Sequence, residues 1–243
     1  MSATSALLTE TYQGHSPPQT VWEEAASLFS SHYGTWGPLA EHNYGSFAKT
    51  GRRVRMSAAK LRDQCWPEKA QENVFVRALV GGAAVGHVFA SRWSYRGRTV
   101  CWISQLVVHS DFRERRIAST LLAGLRRPSD DAFGICSSHP AAITAAARAL
   151  GVRYQGLDFT AAKAHAAAVM QSAPIRYVHN ASPSGRLFDP TAVEGSFCCA
   201  NVGFWVDHDE PLRALNRLSA EWKFGSLPEG HEFLLFLTFV DSF

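Results

Sequence analysis

The sequence predicts an α/β (α+β) fold, a mixed and mostly antiparallel central sheet flanked by helices, on three observations. Asn73 to Val80 and Ala83 to Trp93 are apolar, β-rich runs joined by Gly81-Gly82, a hairpin signal. Ser94 to Arg98 then turns into a third strand at Val100, which runs through a basic turn, Arg113 to Arg116, into a helix. In that helix Ile117, Leu121, Leu122 and Leu125 share one face. A second strand and helix follow, from Ala132 to Cys136 and from Pro140 to the Leu150-Gly151 stop, with proline in the first turn and glycine past the end.

Composition narrows the class further. With 46% apolar residues the chain can bury a sizeable core, which excludes a disordered or fibrous protein. A net charge of +3 is too balanced for nucleic acid to be a main partner. No run approaches the roughly 18 apolar residues that cross a bilayer, so no membrane partner is expected. Five cysteines without a C-x-x-C pair, and no secretory signal, point to reduced thiols and a cytoplasmic protein. No linker interrupts the 243 residues, so a single domain is expected.

Along the chain, residues 1–18 read as a flexible lead-in. Residues 19–151 form the N-terminal part, 152–195 an insertion, and 196–243 a C-terminal β-α-β part. The first helix is predicted from Thr20, whose spacing to Glu23 fits a capping box. Ser31 to Gly51 is an aromatic and histidine-rich loop, either a substrate cover or a surface loop pinned by aromatic plugs. Ser57 to Gln64 is a second helix. The insertion holds an alanine-rich helix, Phe159 to Ser172, and a loop, Ala181 to Gly195. A strand from Ser196 to Val206, a helix from Pro211 to Trp222 and a strand from His231 to Val240 complete the prediction.

The strand–turn–helix at the centre presents free N–H groups and the positive end of a helix dipole, a seat for an anion. Its residues Arg113-Glu114-Arg115-Arg116-Ile117-Ala118 resemble the acyl-CoA signature Gln/Arg-x-x-Gly-x-Gly/Ala of the GNAT superfamily of N-acetyltransferases. Gln105-Leu106-Val107-Val108-His109 is similar to that family's fourth strand. The resemblance implies acetyl-CoA as co-substrate, held by Leu106, Val107, Val108, Arg113, Glu114, Arg115, Arg116, Ile117, Ala118 and Ser119. It also implies a bulge near Val107 or Val108, whose main chain would donate to the thioester carbonyl, and a notch where the fifth strand leaves the fourth. Arg116 departs from the signature, standing where the family has its first glycine; it either crowds a phosphate or binds one.

The family's proton-donating tyrosine maps to Ala147, which has no hydroxyl. Tyr154, Ser138 and His139 remain as donors, His139 also being readable as a helix-start residue. For a base, Trp205 to Pro211 offers His208 among Asp207, Asp209 and Glu210. Asp209 and Glu210 are equally well read as helix-capping acids, which leaves His208 the preferred base. Cys198 and Cys199 point to opposite faces of a strand and read as core. Consecutive Asp-His-Asp residues do not converge, so no metal is expected.

The reading is an acyltransferase that moves an acetyl or other acyl group to an amine of a small-molecule acceptor. Two rivals stand beside it: an enzyme of the same fold with another reaction, and a catalytically silent CoA- or protein-binding module. The oligomeric state is not legible.

Overall fold

The computed structural model describes residues 6–192, 195–218 and 222–239. Eight strands form one mixed sheet in the order β1-β2-β3-β4-β5-β8-β7-β6. The predicted hairpin is present as β2 (Glu72–Val80) and β3 (Ala83–Tyr95), and β4 (Arg98–Val108) follows antiparallel to β3.

Part of the expected lead-in is instead a strand. β1 (Leu7–Gln13) pairs antiparallel with β2 from Leu7↔Val80 to Gln13↔Val74. It is an edge strand exposed along nearly its whole length, so it carries no alternation of apolar and polar residues that would announce it. Residues 1–5 lie outside the described residues.

The first helix, α1 (Gln19–His32), begins one residue before the expected start and is capped by Pro18 without a side-chain bond. The capping-box reading of Thr20 is therefore corrected; Glu23 accepts from Gln19 Nε2 at 2.9 Å. Proline already holds the extended backbone that an N-cap needs. Trp22 of α1 stacks on Phe89 of β3, ring centroids 5.1 Å apart. The aromatic loop after α1 contains a short helix, α2 (Ala40–Tyr44), and a 3₁₀ turn, Ser46–Ala48. α3 (Ala58–Cys65) starts as predicted, with Ser57 accepting from Lys60 N.

Thus α1 and α3 cover one face of the sheet, around Phe75 and Phe89. The other face, around Val76, Val88 and Ala90, is covered by α4 (Ile117–Ala123). A Cβ on Gly86 would come within 3.0 Å of Ile117, so this glycine lets α4 close on β3.

β5 (Ala132–Ser137) pairs with β4 in parallel, but only from Val100↔Ala132 to Ile103↔Ile135. Beyond Ile103 the strands separate, and the last residues of β5 pair only with β8 (His231–Thr238). Arg92 of β3 holds the loop before β5, its Nε 2.6 Å and Nη2 2.9 Å from the buried Asp130 carboxylate. α5 (Pro140–Ala149) follows β5.

The insertion packs α6 (Thr160–Gln171) against β8 and continues into α7 (Arg176–Asn180) and a short strand, β6 (Ser182–Ser184). The expected 181–195 loop therefore opens with a strand; residues 193–194 lie outside the described residues. The long strand expected from Ser196 shortens to β7 (Cys199–Asn201), because Ser196 and Phe197 bond to the turn at Phe224–Gly225 instead. α8 (Asp209–Leu218) starts two residues before the expected Pro211 and precedes β8; residues 219–221 lie outside the described residues, and Trp222, the expected end, is not helical. All five cysteines are free and buried.

The opening between β4 and β5 rests on one close approach. A Cβ on Gly134 of β5 would lie 2.1 Å from the ring of Trp102 on β4, and Trp102 is fully buried. Gly134→Ala is expected to lower the unfolding free energy by about 3 kcal/mol, read by chemical denaturation, because neither ring nor strand can move aside.

Candidate functional site

Past Ile103, β4 loses β5 but keeps β3, and the two main chains diverge around a cavity of about 1420 Å³. Its floor includes Ile103 to Leu106 of β4 and Ile135 to Ser137 of β5; its walls come from α1, α2, α3 and α7. The β3–β4 register shifts between Phe89↔Gln105 and Ala90↔Ile103, which makes Ser104 the extra residue of a bulge. The bulge expected at Val107 or Val108 thus lies upstream, and both valines pair regularly with β3. A bulge is a main-chain feature, and no side chain in Gln-Leu-Val-Val marks it. The Tyr177 hydroxyl donates to the Ser104 carbonyl at 3.0 Å, satisfying an acceptor that β5 no longer meets.

Among the described residues, the only buried acid lining this cavity is Glu232 of β8. Burial raises its pKa to about 7, while a hydrogen bond from the Tyr33 hydroxyl pulls it back down. The Tyr33 and Tyr177 hydroxyls are pushed well above their ordinary value, first by burial and then by the Glu232 charge. Both remain protonated donors at neutral pH. A carboxylate poised near neutrality beside a hydroxyl can take up and release a proton. Of these, Tyr33 falls in the aromatic loop read as either a substrate cover or a surface loop, while Tyr177 and Glu232 were not singled out from the sequence. The signal was present in His-Glu-Phe-Leu-Leu-Phe-Leu-Thr, where a single acid interrupts an apolar strand.

The basic turn forms a second part of the site. From Glu114 through Ser119, no backbone N–H finds an acceptor among the described residues. Glu114 and Arg116 both have φ of +63°, the left-handed region. The turn therefore takes a left-handed path at two positions with L side chains, one of them the expected glycine position of Arg116, each strained by roughly 1 kcal/mol. Arg116 is exposed and makes no ion pair among the described residues. Its side chain does not seal the turn. Arg115 lies over the Phe112 ring, 5.0 Å from its centroid.

Arg113 is committed elsewhere. Its guanidinium donates to the Val108 carbonyl at 3.3 Å, to the His32 carbonyl at 2.6 Å, and to Glu210. It ties the end of β4 to α1 and α8. Glu114 meets Arg217 of α8 at 3.3 Å, so α8 lies alongside the turn through two ion pairs. Ile117 is buried against β3, and Ala118 and Ser119 are half-buried in the first turn of α4. Of the residues expected to hold the co-substrate, Leu106 alone lines the cavity; Val107 is buried and Val108 half-buried beside it.

His139 caps α5, its Nδ1 accepting from Ala141 N at 3.1 Å, with Nε2 4.0 Å from Glu210. Burial lowers its pKa, against the Glu210 charge. His208 is buried, and its Nε2 has no partner among the described residues. Burial lowers its pKa as well. Neither histidine lines the cavity that contains Glu232. The expected caps Asp209 and Glu210 lie inside the first turn of α8, and Asp207 takes the capping bond from Asp209 N at 3.0 Å. Tyr154 sits in a 3₁₀ turn against the core beyond α5, and Ser138 is buried outside the cavity. Cys198 donates to the Leu234 carbonyl, and burial raises its thiol pKa. Among the described residues no His, Cys, Asp or Glu group could hold a metal, and no helix is long and apolar enough to cross a membrane.

The site thus has two parts in a mixed α/β fold: parallel strands that part over a cavity, and a turn of unpaired N–H groups. Residues 38–132 match the model of the Acetyltransferase (GNAT) family. Solved structures give more distant likenesses. One contains a GCN5-related glucosamine N-acetyltransferase region of a fungal multi-domain GH3 β-N-acetylglucosaminidase (13% identity, TM-score 0.39), over 55% of this chain and 14% of that one. A second is a ribosomal-protein-alanine N-acetyltransferase from Brucella melitensis biovar Abortus 2308 (20%, TM-score 0.32), over 49% and 70%. A third is a GNAT-family acetyltransferase from Streptococcus pneumoniae (12%, TM-score 0.38), over 59% and 83%. The chain thus spans far less than two thirds of the first of these. Among curated proteins nothing matches.

Arg116→Gly removes left-handed strain but adds chain entropy to the unfolded state, so a net gain of about 0.5 kcal/mol is expected. Arg116→Ala relieves no strain and should give no such gain. Thermal unfolding of the two variants side by side checks this.

Proposed function

We propose that the chain is an acyl-CoA-dependent acyltransferase that moves an acetyl or other acyl group to the amine of a small-molecule acceptor. The observation that carries the reading is the Glu232 carboxylate, buried in the cavity at the parting of β4 and β5 and poised near neutrality.

The co-substrate's phosphates would be held by the unpaired N–H groups of Glu114 to Ser119, with the Arg116 guanidinium beside them. Arg113 and Arg115 shape the turn rather than reach for the ligand: one is tied to Glu210 and the other laid over Phe112. The pantetheine arm would follow β4 past Val108 and Val107 to Leu106, whose neighbourhood opens onto the cavity. There the β4 main chain, released from β5, would donate to the thioester carbonyl as its oxygen gains charge.

In this reading Glu232 takes a proton from the acceptor's ammonium, directly or through Tyr33, and the neutral amine attacks the thioester carbon. The tetrahedral intermediate collapses with cleavage of the C–S bond. The thiolate leaves and takes up a proton, yielding an amide and free CoA. Tyr177, whose hydroxyl is bonded to the Ser104 carbonyl of that strand, is a candidate donor. His139 stays a candidate at the α5 end of the notch, and His208 a candidate base from outside the cavity. Val108 contributes main chain only.

Incubation with acetyl-CoA and a panel of amines should release free thiol above the hydrolysis background. Calorimetry should show acetyl-CoA binding, weakened about tenfold by Arg116→Ala, the worth of one charge-assisted contact. Neither binding nor thiol release would overturn the reading.

The pH profile supplies a sharper check. Glu232 must be ionised to act, so kcat/KM should rise with pH through a midpoint near 7. Glu232→Gln should lower the rate roughly 10²- to 10⁴-fold and abolish that limb.

A further inference from the structure

The lining of the cavity is of one kind at depth and another at the mouth, and this distribution names the acceptor more closely. Deep inside, the polar groups include the buried Glu232, Ser104 and Gln105 side chains and the half-buried Tyr33 and Tyr177, Gln105 being bonded to His87. One flank is a run of rings. Trp36 contacts Tyr44, Phe47 and Phe204 at centroid distances of 5.4, 6.1 and 5.7 Å, and Tyr33 lies 5.9 Å from Phe204. Phe47 is 63% exposed and Tyr44 37%, large apolar surface left uncovered on the wall of a cavity rather than in the core. At the mouth the charged side chains are exposed: Arg55, Lys60, Arg62, Lys69 and Arg176 against Asp63 and Glu68. Arg62 is occupied by Ser16 and the Trp22 ring. Arg55 and Arg176 form no ion pair with a described residue.

We infer that the acceptor is an aromatic primary amine that carries a carboxylate on the far side of its ring from the amino group. The inference rests on the acyltransferase reading and specifies its acceptor. The amine enters first, because the one deep carboxylate attracts an ammonium and is placed to deprotonate it. The ring lies on the Trp36–Phe204 flank, where the uncovered faces of Phe47 and Tyr44 gain burial. The acid stays at the mouth, where guanidinium groups match a carboxylate in two-point contact. A polycationic amino sugar meets the opposite arrangement: one buried acid, and a rim where cations outnumber carboxylates. Five cationic side chains against two acids repel such a molecule before it reaches Glu232.

Three probes separate these cases: 4-(2-aminoethyl)benzoic acid, 2-phenylethylamine and kanamycin. Binding is read from the fluorescence of Trp36 and Trp66, which line the cavity, and turnover from thiol release with acetyl-CoA. The acid-bearing amine should bind about tenfold tighter than 2-phenylethylamine, with kanamycin weakest. In an Arg55→Ala/Arg176→Ala double variant that preference should collapse to near unity. Equal affinity for the two aromatic amines, or tighter binding of kanamycin, overturns the inference while thiol release upholds the acyltransferase reading. Selective binding of the acid-bearing amine with no thiol release from any probe does the reverse. An unchanged preference in the double variant also overturns the inference, since the rim cations would then play no part.

Discussion

Everything in the site follows from a limit on hydrogen bonding: β4 and β5 run parallel for four paired residues and then part. A strand that loses a neighbour inside a protein exposes main-chain groups that must be satisfied some other way. On β5 the answer is β8, which pairs with it from Ala132 to Ser137. On β4 part of the answer is Tyr177, whose hydroxyl takes the Ser104 carbonyl. The bulge at Ser104 turns the strand away from its former partner, and Gly134 under Trp102 holds the last shared residues close. What remains between the strands is room, with main-chain donors on one wall and a β8 carboxylate at its edge.

The turn after β4 solves a related problem with unusual residues. A chain leaving a strand and entering a short helix needs left-handed backbone at two positions, and glycine meets that need without strain. Here Glu114 and Arg116 meet it instead. The strain is held by contacts on either side: Ile117 buried under Gly86, Arg113 fastened to Val108 and His32, and α8 braced through Glu210 and Arg217. Of the two side chains at these left-handed positions, Glu114 pairs with Arg217 of α8 and Arg116 is exposed. The N–H groups of the turn remain open. This reconciles the family match over residues 38–132 with a turn that lacks its glycine.

The elements legible from sequence were those with strong local signals. The β2–β3 hairpin announced itself by Gly81-Gly82, α3 by its Ser57 cap, α4 by the leucine stripe, and α5 by proline and glycine at its two ends. The edge strand β1 did not, because pairing on one side leaves its side chains in water and imposes no pattern. The short β7 was overextended because Ser196 and Phe197 continue an alternating pattern yet spend their bonds on a distant turn. The site divides along the same line. The basic turn is one continuous stretch and could be read directly. Glu232, Tyr33 and Tyr177 are far apart in sequence and meet only because α1, α7 and β8 converge over the gap in the sheet. Local reasoning selected His208 by its acidic neighbours and His139 by its place at the end of β5; Asp207 takes the capping bond at α8, and His139 itself caps α5.

A carboxylate buried at Glu232 also opposes folding, and the direction can be worked out. Its folded pKa is raised to about 7 from an ordinary value of 4.5, so the folded state holds its proton more tightly than the unfolded chain does. The stability linked to that proton is present in full below the unfolded value and is lost as pH rises through about 7. Where the group is ionised and able to act as a base, it destabilises the fold most. A purely structural role would favour an apolar residue here, as in the rest of the inward face of β8, Leu234 and Phe236. Tyr33 offsets part of the loss by donating to the charged form, and in doing so places a hydroxyl beside the proton that has to move. A buried acid that costs stability in its working state, served by a donor aimed at it and open to a cavity, is the arrangement proton transfer requires.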